Sequence, residues 1–283
     1  YIGAGEYGYH RLTGVWRQDA GNALQVGVYQ VAGRCLDRRP MDLVGIRPDS
    51  VAPLRQGHER HPLSAKGARL LGLTPGIPVV GPFFDQEAGY LSAAVARRRP
   101  LQVSLGTAWV GNFCSLPGER SVSSNQLVLP AVAGTGVMVC QPLLTGNVSW
   151  DWALEQFVDT DHKRALHQLP GIFSQNLLPP KGLIALPWLN MPNPLVPDSI
   201  GGGAFFGVNS RTTKEDLLRA LMVSMVCEFH RVFSNVARLK KVDSIVLGGG
   251  ASRGVFFQTV FAALFDDLPV YVSTEDDISG VRG

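Results

Sequence analysis

The stretch that decides the fold is residues 244–253, which read Ser-Ile-Val-Leu-Gly-Gly-Gly-Ala-Ser-Arg. A β-branched run followed by three glycines predicts a buried strand that turns sharply into a helix-like segment. Because glycine has no side chain, its backbone lies open to a flat or anionic ligand, and the start of a following helix adds unpaired N–H groups. These residues therefore predict a nucleotide site, with an ordinary tight turn of an α/β protein as the alternative.

Strand-like and helix-like segments alternate on both sides of this stretch. A short apolar run bounded by glycine or proline predicts a strand, and a longer run with helical spacing predicts a helix. A Gly-Thr turn joins two neighbouring strands. The predicted strands are residues 77–81, 101–107, 108–113 and 269–272, and the predicted helices are residues 90–96 and 255–265. This alternation is typical of an α/β protein.

The longest predicted helix begins at residues 212–215, Thr-Thr-Lys-Glu, a capping-box pattern in which a hydroxyl and a carboxylate each bond a backbone N–H. The apolar residues that follow are expected to form core rather than to hold a cofactor. They recur at helical spacing as Leu217, Leu221, Met225, Phe229, Val232, Val236 and Leu239. Residues 177–197 are rich in proline and predict an irregular loop region.

Composition sets the class of the protein. The chain has 283 residues, of which 45% are hydrophobic and 17% charged, and its net charge is +3. A well-packed globular protein is expected, and nucleic acid is not an expected partner because basic and aromatic residues do not interleave. The basic run at residues 97–99 predicts a solvated loop. No apolar run reaches the roughly twenty residues that cross a membrane.

The cysteines and histidines suggest no metal or redox centre. Four cysteines are widely spaced without a C-x-x-C pair, which predicts reduced thiols in a cytoplasmic protein. His58 and His61 have an H-x-x-H spacing but sit beside arginines, with Glu59 as the nearby carboxylate. We therefore expect surface histidines and no metal ligands.

Two further segments carry residue types that phosphoryl transfer needs, namely a carboxylate to take a proton and donors to hold phosphate. Asp85 follows the predicted strand 77–81, and Phe83 and Phe84 would partly desolvate it. A helix-capping aspartate is the alternative. Gly106 and Thr107 offer a backbone amide and a hydroxyl suited to a terminal phosphate, with an ordinary hairpin turn as the alternative.

Taken in order, these segments resemble the FGGY family of carbohydrate kinases. The similarity extends from about Tyr7 to Gly283, and its colinearity makes it specific. The matching segments are residues 71–81 with Asp85 and Gln86 (the catalytic aspartate), 103–107 (a phosphate turn), 203–208 with 216–220 (a second signature region) and 248–252 with Gln258 (the adenosine-binding element).

The resemblance implies an α/β fold of the actin-like ATPase class, with two RNase-H-like domains and ATP in the cleft between them. Residues 1–98 are then the C-terminal part of a sugar-binding first domain that also carries the catalytic base, and residues 99–283 are the nucleotide-binding second domain. Tyr1 is not a methionine, and the sequence lacks the Asp-x-Gly-Thr strand with which family members begin. We therefore expect a fragment whose first domain is incomplete.

The resemblance also implies site residues. Asp85 would be the general base for a sugar hydroxyl, and Gln86 would contact the substrate. Gly106 and Thr107 would meet the γ-phosphate. The other residues expected to contact the nucleotide are Gly207, Gly249, Gly250 and Ala251. No residue is assigned to a metal, although the resemblance implies Mg²⁺ together with ATP.

The expected reaction transfers the γ-phosphate of Mg-ATP to a hydroxyl of a sugar, foremost a ketose such as a pentulose. Glycerol or another polyol is the alternative acceptor. A weakly active or silent regulator that binds nucleotide or sugar is a further alternative, because family charges are missing near Asn190 and after Ala220. The expected partners are thus a small-molecule sugar and ATP, and a homodimer stays open.

Overall fold

The computed structural model describes residues 3–55, 59–116, 126–131, 136–143, 146–190, 201–238 and 242–273. The elements before residue 81 are short, and their strands form two antiparallel pairs, β1 with β2 and β3 with β4. They are α1 (Ala4–Thr13), α2 (Ala20–Gln25), β1 (Tyr29–Gln30), β2 (Cys35–Leu36), α3 (Arg38–Leu43), β3 (Arg60–Pro62), α4 (Ala65–Leu71) and β4 (Pro78–Val80). A small core that includes Ala23, Tyr29 and Met41 joins α2, β1 and α3.

Longer elements follow from residue 85 onward. They are α5 (Asp85–Ala96), β5 (Pro100–Leu105), β6 (Trp109–Ser115), β7 (Leu127–Pro130), β8 (Val137–Pro142), α6 (Asn147–Phe157), α7 (His162–Gln175), β9 (Ile184–Leu186), β10 (Ala204–Phe206), α8 (Lys214–Arg238), β11 (Ser244–Gly248), α9 (Val255–Leu264) and β12 (Val270–Val272). Short 3₁₀ turns lie at Pro48–Ser50 and Gly250–Arg253. The predicted strand at the triple glycine is thus confirmed as β11, and a 3₁₀ turn separates it from α9.

Six strands form one mixed sheet in the order β12-β11-β5-β6-β8-β7. β12, β11 and β5 run parallel, whereas β6, β8 and β7 alternate in direction. Gly248 pairs with Ser104, so the carboxyl ends of β11 and β5 lie side by side. The segments that follow these two strands, beginning at Gly106 and Gly249, therefore start at the same edge of the sheet.

The two faces of the sheet are covered differently. Successive residues of a strand point to opposite faces, so β5 and β6 each contribute to both. Val103 and Trp109 belong to the large core formed with α6, α7, α8 and α9. On the other face, Val110 and Cys140 pack with Phe84 and with Tyr90 of α5. α5 therefore lies on the face opposite to the large helical layer.

Three sequence predictions need correction. α5 begins at Asp85 rather than at Tyr90, because an aspartate is favourable in the first turn of a helix. The capping box of α8 pairs Thr213 with Asp216 rather than Thr212 with Glu215: the Asp216 N–H donates to Thr213 Oγ1 at 3.2 Å, and the Thr213 N–H donates to Asp216 Oδ2 at 3.1 Å.

The third correction concerns residues 177–197, which were predicted to be irregular. They contain a short strand, β9, which pairs with β10. β9 comprises Ile184–Leu186 and lies between the prolines at 180 and 187. Each of its residues therefore has the backbone N–H that strand pairing needs and that proline lacks. Residues 191–197 of this prediction lie outside the described residues, as do His58 and Leu239.

The predicted domain boundary between residues 98 and 99 stays a prediction. The basic run at residues 97–99, predicted to be a solvated loop, is held in place by hydrogen bonds and a ring contact. The Arg99 N–H donates to Asp243 Oδ2 at 3.0 Å, and the Asp243 N–H donates to Arg99 O at 2.9 Å. The Arg97 guanidinium lies 3.7 Å from the centroid of the Tyr271 ring, whereas Arg98 is exposed. The chain is therefore anchored where it passes from α5 into β5.

Among the described helices, none combines the length and apolar character needed to cross a membrane.

Candidate nucleotide cavity and catalytic helix

The turn between β5 and β6 is tied to the start of α6. The Asn147 N–H donates to Gly106 O at 3.1 Å, and Asn147 Nδ2 donates to Leu105 O at 3.3 Å. Trp109 Nε1 donates to Asn147 Oδ1 at 3.1 Å. A Cβ on Gly146 would lie 2.7 Å from Thr107 O, so only glycine permits this approach. The turn that carries Gly106 and Thr107 is thus fixed by backbone packing against α6.

The triple glycine crosses the end of β5. Gly249 has φ +87°, and a Cβ on it would lie 2.8 Å from Leu105 C. The 3₁₀ turn that follows is held by Ser252 Oγ, which donates to Gly249 O at 2.8 Å, and by Gln258 Nε2, which donates to Ser252 O at 2.7 Å. Gly250 differs from Gly249, because a Cβ there would meet no atom within 4 Å. Its backbone faces open space.

That space is a cavity of about 780 Å³ between α6, α7 and the start of α9. The volume falls in the usual range of small-molecule sites. Phe173 and Phe256 stack in its wall with ring centroids 4.2 Å apart, and Asp151 Oδ1 lies 3.2 Å from His162 Nε2 at the rim. The lining includes backbone at Gly250 and Ala251, apolar side chains of Trp150, Leu166, Leu169, Phe173, Phe256 and Phe257, and polar groups of Asn147, Asp151, His162, Ser174, Arg253 and Thr259. A flat aromatic ligand fits such walls.

Asp85 is exposed and is the first residue of α5. Its Oδ1 accepts the Gln86 N–H at 2.8 Å, but the N-cap of α5 is Phe84, so Asp85 is not the capping residue that the alternative expected. The prediction that Phe83 and Phe84 desolvate this carboxylate is wrong. Phe84 is buried in the core below α5, and the Phe83 ring lies 4.6 Å from the Arg55 guanidinium carbon. Because both rings make these other contacts, the carboxylate of Asp85 faces solvent.

Gln86 is anchored on the sheet. Asn112 is completely buried, and its Nδ2 donates to Gln86 Oε1 at 2.8 Å and to Gln102 Oε1 at 2.6 Å. Asn112 and Gln102 are paired residues of β6 and β5. The first turn of α5 is therefore fastened to the centre of the sheet by a chain of amides.

The first turn of α5 points toward the edge of the sheet that carries Gly106. α5 is joined to β5 by three residues and runs back along it, with Gly89 beside Gln102. Asp85 lies one helical turn beyond Gly89 in the direction of the carboxyl end of β5. It also lies near Cys140, since burial and then the charge of Asp85 raise the pKa of that thiol to about 12.

Gly207 lies apart from these residues. It follows β10 with φ +78°, and a Cβ on it would overlap Gly182 O. The residue thus allows two backbone segments to cross beside the β9–β10 pair. It is not among the residues that line the cavity. Its predicted contact with a nucleotide stays a prediction.

The described residues contain no group of three or more His, Cys, Asp or Glu side chains placed to hold a metal ion. Of the predicted histidine pair, His61 is described, and its Nδ1 lies 2.8 Å from the Tyr9 hydroxyl.

Comparison with known families decides what this chain is. The model for the FGGY family of carbohydrate kinases, C-terminal domain, matches residues 102–283. The chain belongs to the FGGY family. The matched region includes all six strands of the large sheet except the first two residues of β5, together with the cavity and the triple glycine.

Individual relatives of this FGGY chain agree with that assignment. A glycerol kinase of Rippkaea orientalis is 27% identical over 255 residues, which are 87% of this chain and 49% of that protein. The structure of xylulose kinase from Rhodospirillum rubrum superimposes with a TM-score of 0.81 at 20% identity, covering 100% of this chain and 57% of that one. The structure of Plasmodium falciparum glycerol kinase with ADP gives a TM-score of 0.78 at 13% identity, covering 99% and 56%.

Two predictions are thereby confirmed, the FGGY family and the α/β actin-like ATPase fold. The chain spans about half the length of the curated relatives that it matches. The predicted roles of individual residues stay predictions.

The structure adds site residues that the sequence analysis missed. Asn147 and Trp150 lie in residues 146–150, where a glycine precedes a helix, and that pattern resembles the other turns for which ligand contact is predicted. Asn112 is a polar residue within the apolar run 108–113, a signal that a buried hydrogen-bonding partner was needed. Nothing in the sequence marked Phe256 as a cavity residue, because phenylalanine is equally typical of a protein core.

Proposed function

We propose that the protein carrying this chain is an ATP-dependent carbohydrate kinase, and that the chain supplies the nucleotide cavity and the general base. The observation that supports it is the convergence of three segments at one edge of the sheet. Gly106 follows β5, and Gly249 follows β11. Asn147 donates to Gly106 O and lines the cavity that begins beside Gly249. The carboxyl edge of parallel strands is where open α/β sheets bind ligands.

The cavity suits the adenosine part of ATP. Aromatic walls accept a base, while Gly250 and Ala251 let it approach the backbone. The open position at Gly250 supports this fit, because a Cβ there would project into unfilled space. ATP supplies the phosphoryl group that is transferred. We assign no ligand of this chain to Mg²⁺.

Asp85 is the proposed general base. Its carboxylate would take the proton of the sugar hydroxyl that attacks the γ-phosphate, and Gln86 beside it would orient the sugar. The exposed position of Asp85 leaves it accessible to a substrate. The Gly106 N–H and the Thr107 hydroxyl would donate to the terminal phosphate at the neighbouring edge of the sheet. A helix N-terminus also favours the negative charge that a base must carry.

The proposed acceptor is a sugar, with a ketose such as a pentulose first and glycerol or another polyol second. The relatives named above act on different acceptors, xylulose and glycerol, and a gluconokinase of Bacillus subtilis is also similar, at 21% identity over 94% of this chain. Release of ADP across pentuloses, hexuloses, heptuloses, gluconate and glycerol would identify the acceptor class.

A regulator that binds nucleotide without turnover is the second candidate. The observation in its favour is the uncharged stretch at residues 221–225 of α8, where the resemblance implies an acidic residue followed by glycine. ADP binding without ADP release on any acceptor of the panel would support the regulator. It would contradict the kinase.

The decisive test of the kinase is Asp85→Asn in the intact protein. The amide cannot accept the hydroxyl proton, so kcat should fall by about 10²–10⁴-fold while ADP affinity, measured calorimetrically, stays unchanged. Asp266→Asn is the matched control, because Asp266 is exposed after the far end of α9. Full turnover in Asp85→Asn would remove the assignment.

A further inference from the structure

A buried pair of carboxyl groups lies beside the first turn of α5. Glu87 is 2% exposed and Asp19 is 1% exposed. Each side chain interacts with the other, and each has one oxygen, Asp19 Oδ2 and Glu87 Oε2, that no N–H or O–H of the described residues reaches. Ionised carboxylates are acceptors only, so neither acid can satisfy the other unless one carries a proton. A proton on one acid would supply the donor that the other lacks.

The surroundings identify Glu87 as the proton carrier. Asp19 Oδ1 accepts the Asn22 N–H at 2.6 Å and so caps α2, which favours its ionised form. Burial, and next the charge of Asp19, raises the pKa of Glu87 to about 8. Burial also raises the pKa of Asp19, but the hydrogen bonds from Asn22 and Glu87 oppose that rise.

Three other titratable or charged groups of the described residues act on the pair. The positive charge of Arg55 opposes the rise of the pKa of both acids. Burial raises the pKa values of Tyr29 and Cys114, and the charge of Glu87 adds to that rise. Arg55 therefore offsets only part of the negative charge of the pair.

We propose that Glu87 and Asp19 share a proton, and that this acid pair positions Asp85 by fastening the first turn of α5 to the start of α2. Glu87 follows Asp85 by two residues, whereas Asp19 lies in the preceding part of the chain. Asn112 holds Gln86 from the sheet, so the pair supplies the second anchor of the same turn. Glu87 is thus a positioning residue, and this role rests on the proposed function of Asp85.

The Glu87–Asp19 pair makes the attachment of α5 to α2 sensitive to pH. A carboxyl group whose pKa is raised by folding binds more protons in the folded state than in the unfolded state. Its stabilising contribution is complete below the usual glutamate value of 4.5 and is lost as pH rises through about 8. At higher pH both buried acids would be ionised, and their repulsion should separate α5 from α2.

The test compares wild type with Glu87→Gln from about pH 5 to about pH 9. Glutamine keeps a donor toward Asp19 but cannot ionise. The urea midpoint of wild type should fall as pH rises, whereas that of Glu87→Gln should change less. The infrared band of a protonated carboxylic acid should be present in wild type at neutral pH and absent from the variant. Glu155→Gln, on the exposed side of α6, is the matched control and should behave as wild type.

Activity tests the positioning role separately. In the intact protein, kcat of wild type should decline on the alkaline side near the pKa of Glu87, and Glu87→Gln should lack that decline, with KM for ATP unchanged in both. If Glu87→Gln does not fold, Asp19→Asn replaces it, because asparagine can cap α2 and donate to Glu87.

The outcomes are distinguishable. Identical pH dependence of the urea midpoint in wild type and Glu87→Gln, or no acid band in wild type, would overturn the shared proton. An acid band together with an unchanged pH profile of kcat would overturn the positioning role. A wild type without kinase activity on any acceptor would instead contradict the proposed function, and the positioning role with it, while the infrared result would still decide the shared proton.

Discussion

The two sides of β5 are held by two different kinds of contact. On the cavity side, the contacts are made by backbone and aromatic rings: Gly249 lies on Leu105, and Asn147 bonds to the β5–β6 turn. On the α5 side, they are made by polar side chains, namely the amides around Asn112 and the acids Glu87 and Asp19. The first side depends on close approach and the second on protonation and hydrogen bonding. Substitutions should therefore damage the two sides in different ways.

The largest expected effect on stability is at Gly249, on the cavity side. In Gly249→Ala, a Cβ 2.8 Å from Leu105 C and a φ of +87° both oppose the native backbone. The free energy of unfolding should fall by about 2–4 kcal/mol. Urea unfolding measures this loss.

Gly250→Ala is the matched control for that substitution. Its added Cβ meets no atom within 4 Å, so its free energy of unfolding should change by less than about 0.5 kcal/mol. Equal losses at the two glycines would show that the approach of Gly249 to β5 does not stabilise the fold.

An intermediate effect is expected at Asn112, on the α5 side. In Asn112→Ala, the oxygens of Gln86 and Gln102 lose a buried donor, and the free energy of unfolding should fall by about 2 kcal/mol. Because Gln86 is released, kcat should also fall while ADP affinity stays unchanged. Enzyme assays and calorimetry on the same variant separate the two effects.

Asn176→Ala, at an exposed position after α7, is the control for Asn112→Ala and should match wild type. A loss of ADP affinity in Asn112→Ala would contradict the division between the two sides of β5.

The smallest effect on stability is expected at Asn147. In Asn147→Ala, the bonds to Leu105 O and from Trp109 Nε1 are lost at a half-buried position, so the free energy of unfolding should fall by about 1 kcal/mol. Since Asn147 also lines the cavity, the dissociation constant of ADP should rise about fivefold. Titration calorimetry measures this rise.

The conservative variant Asn147→Asp sharpens the result. It keeps the acceptor for Trp109 but replaces the donor to Leu105 O with a negative charge beside the expected phosphates. ADP affinity should therefore be lower than in Asn147→Ala, and an unchanged affinity in both variants would place the nucleotide elsewhere.

The sequence was sufficient for features that depend on local pattern. The strands β5, β6 and β11 follow from apolar runs bounded by glycine, and α9 follows from residues 255–265. The Gly248–Gly250 and Gly106–Thr107 turns could be singled out because glycine has a direct conformational meaning. The order of these motifs carried the family assignment, which the match over residues 102–283 confirms.

The features that could not be predicted depend on residues far apart in the chain. Asp19 and Glu87 each look like ordinary acids near a helix start, and nothing local indicates that folding buries them against each other. Phe83 and Phe84 similarly suggested a desolvated Asp85, but tertiary packing turns one ring toward the core and the other toward Arg55. Side-chain direction at the start of a helix is set by the neighbouring elements, which a linear pattern does not contain.

β5 has a mechanical consequence for the whole molecule. It is hydrogen-bonded along both edges, to β11 and to β6, and side chains cover both of its faces. Such a strand cannot separate from either neighbour without breaking a hydrogen-bonded ladder. Any motion of the sheet should therefore carry β5 together with β11 and β6 as one unit.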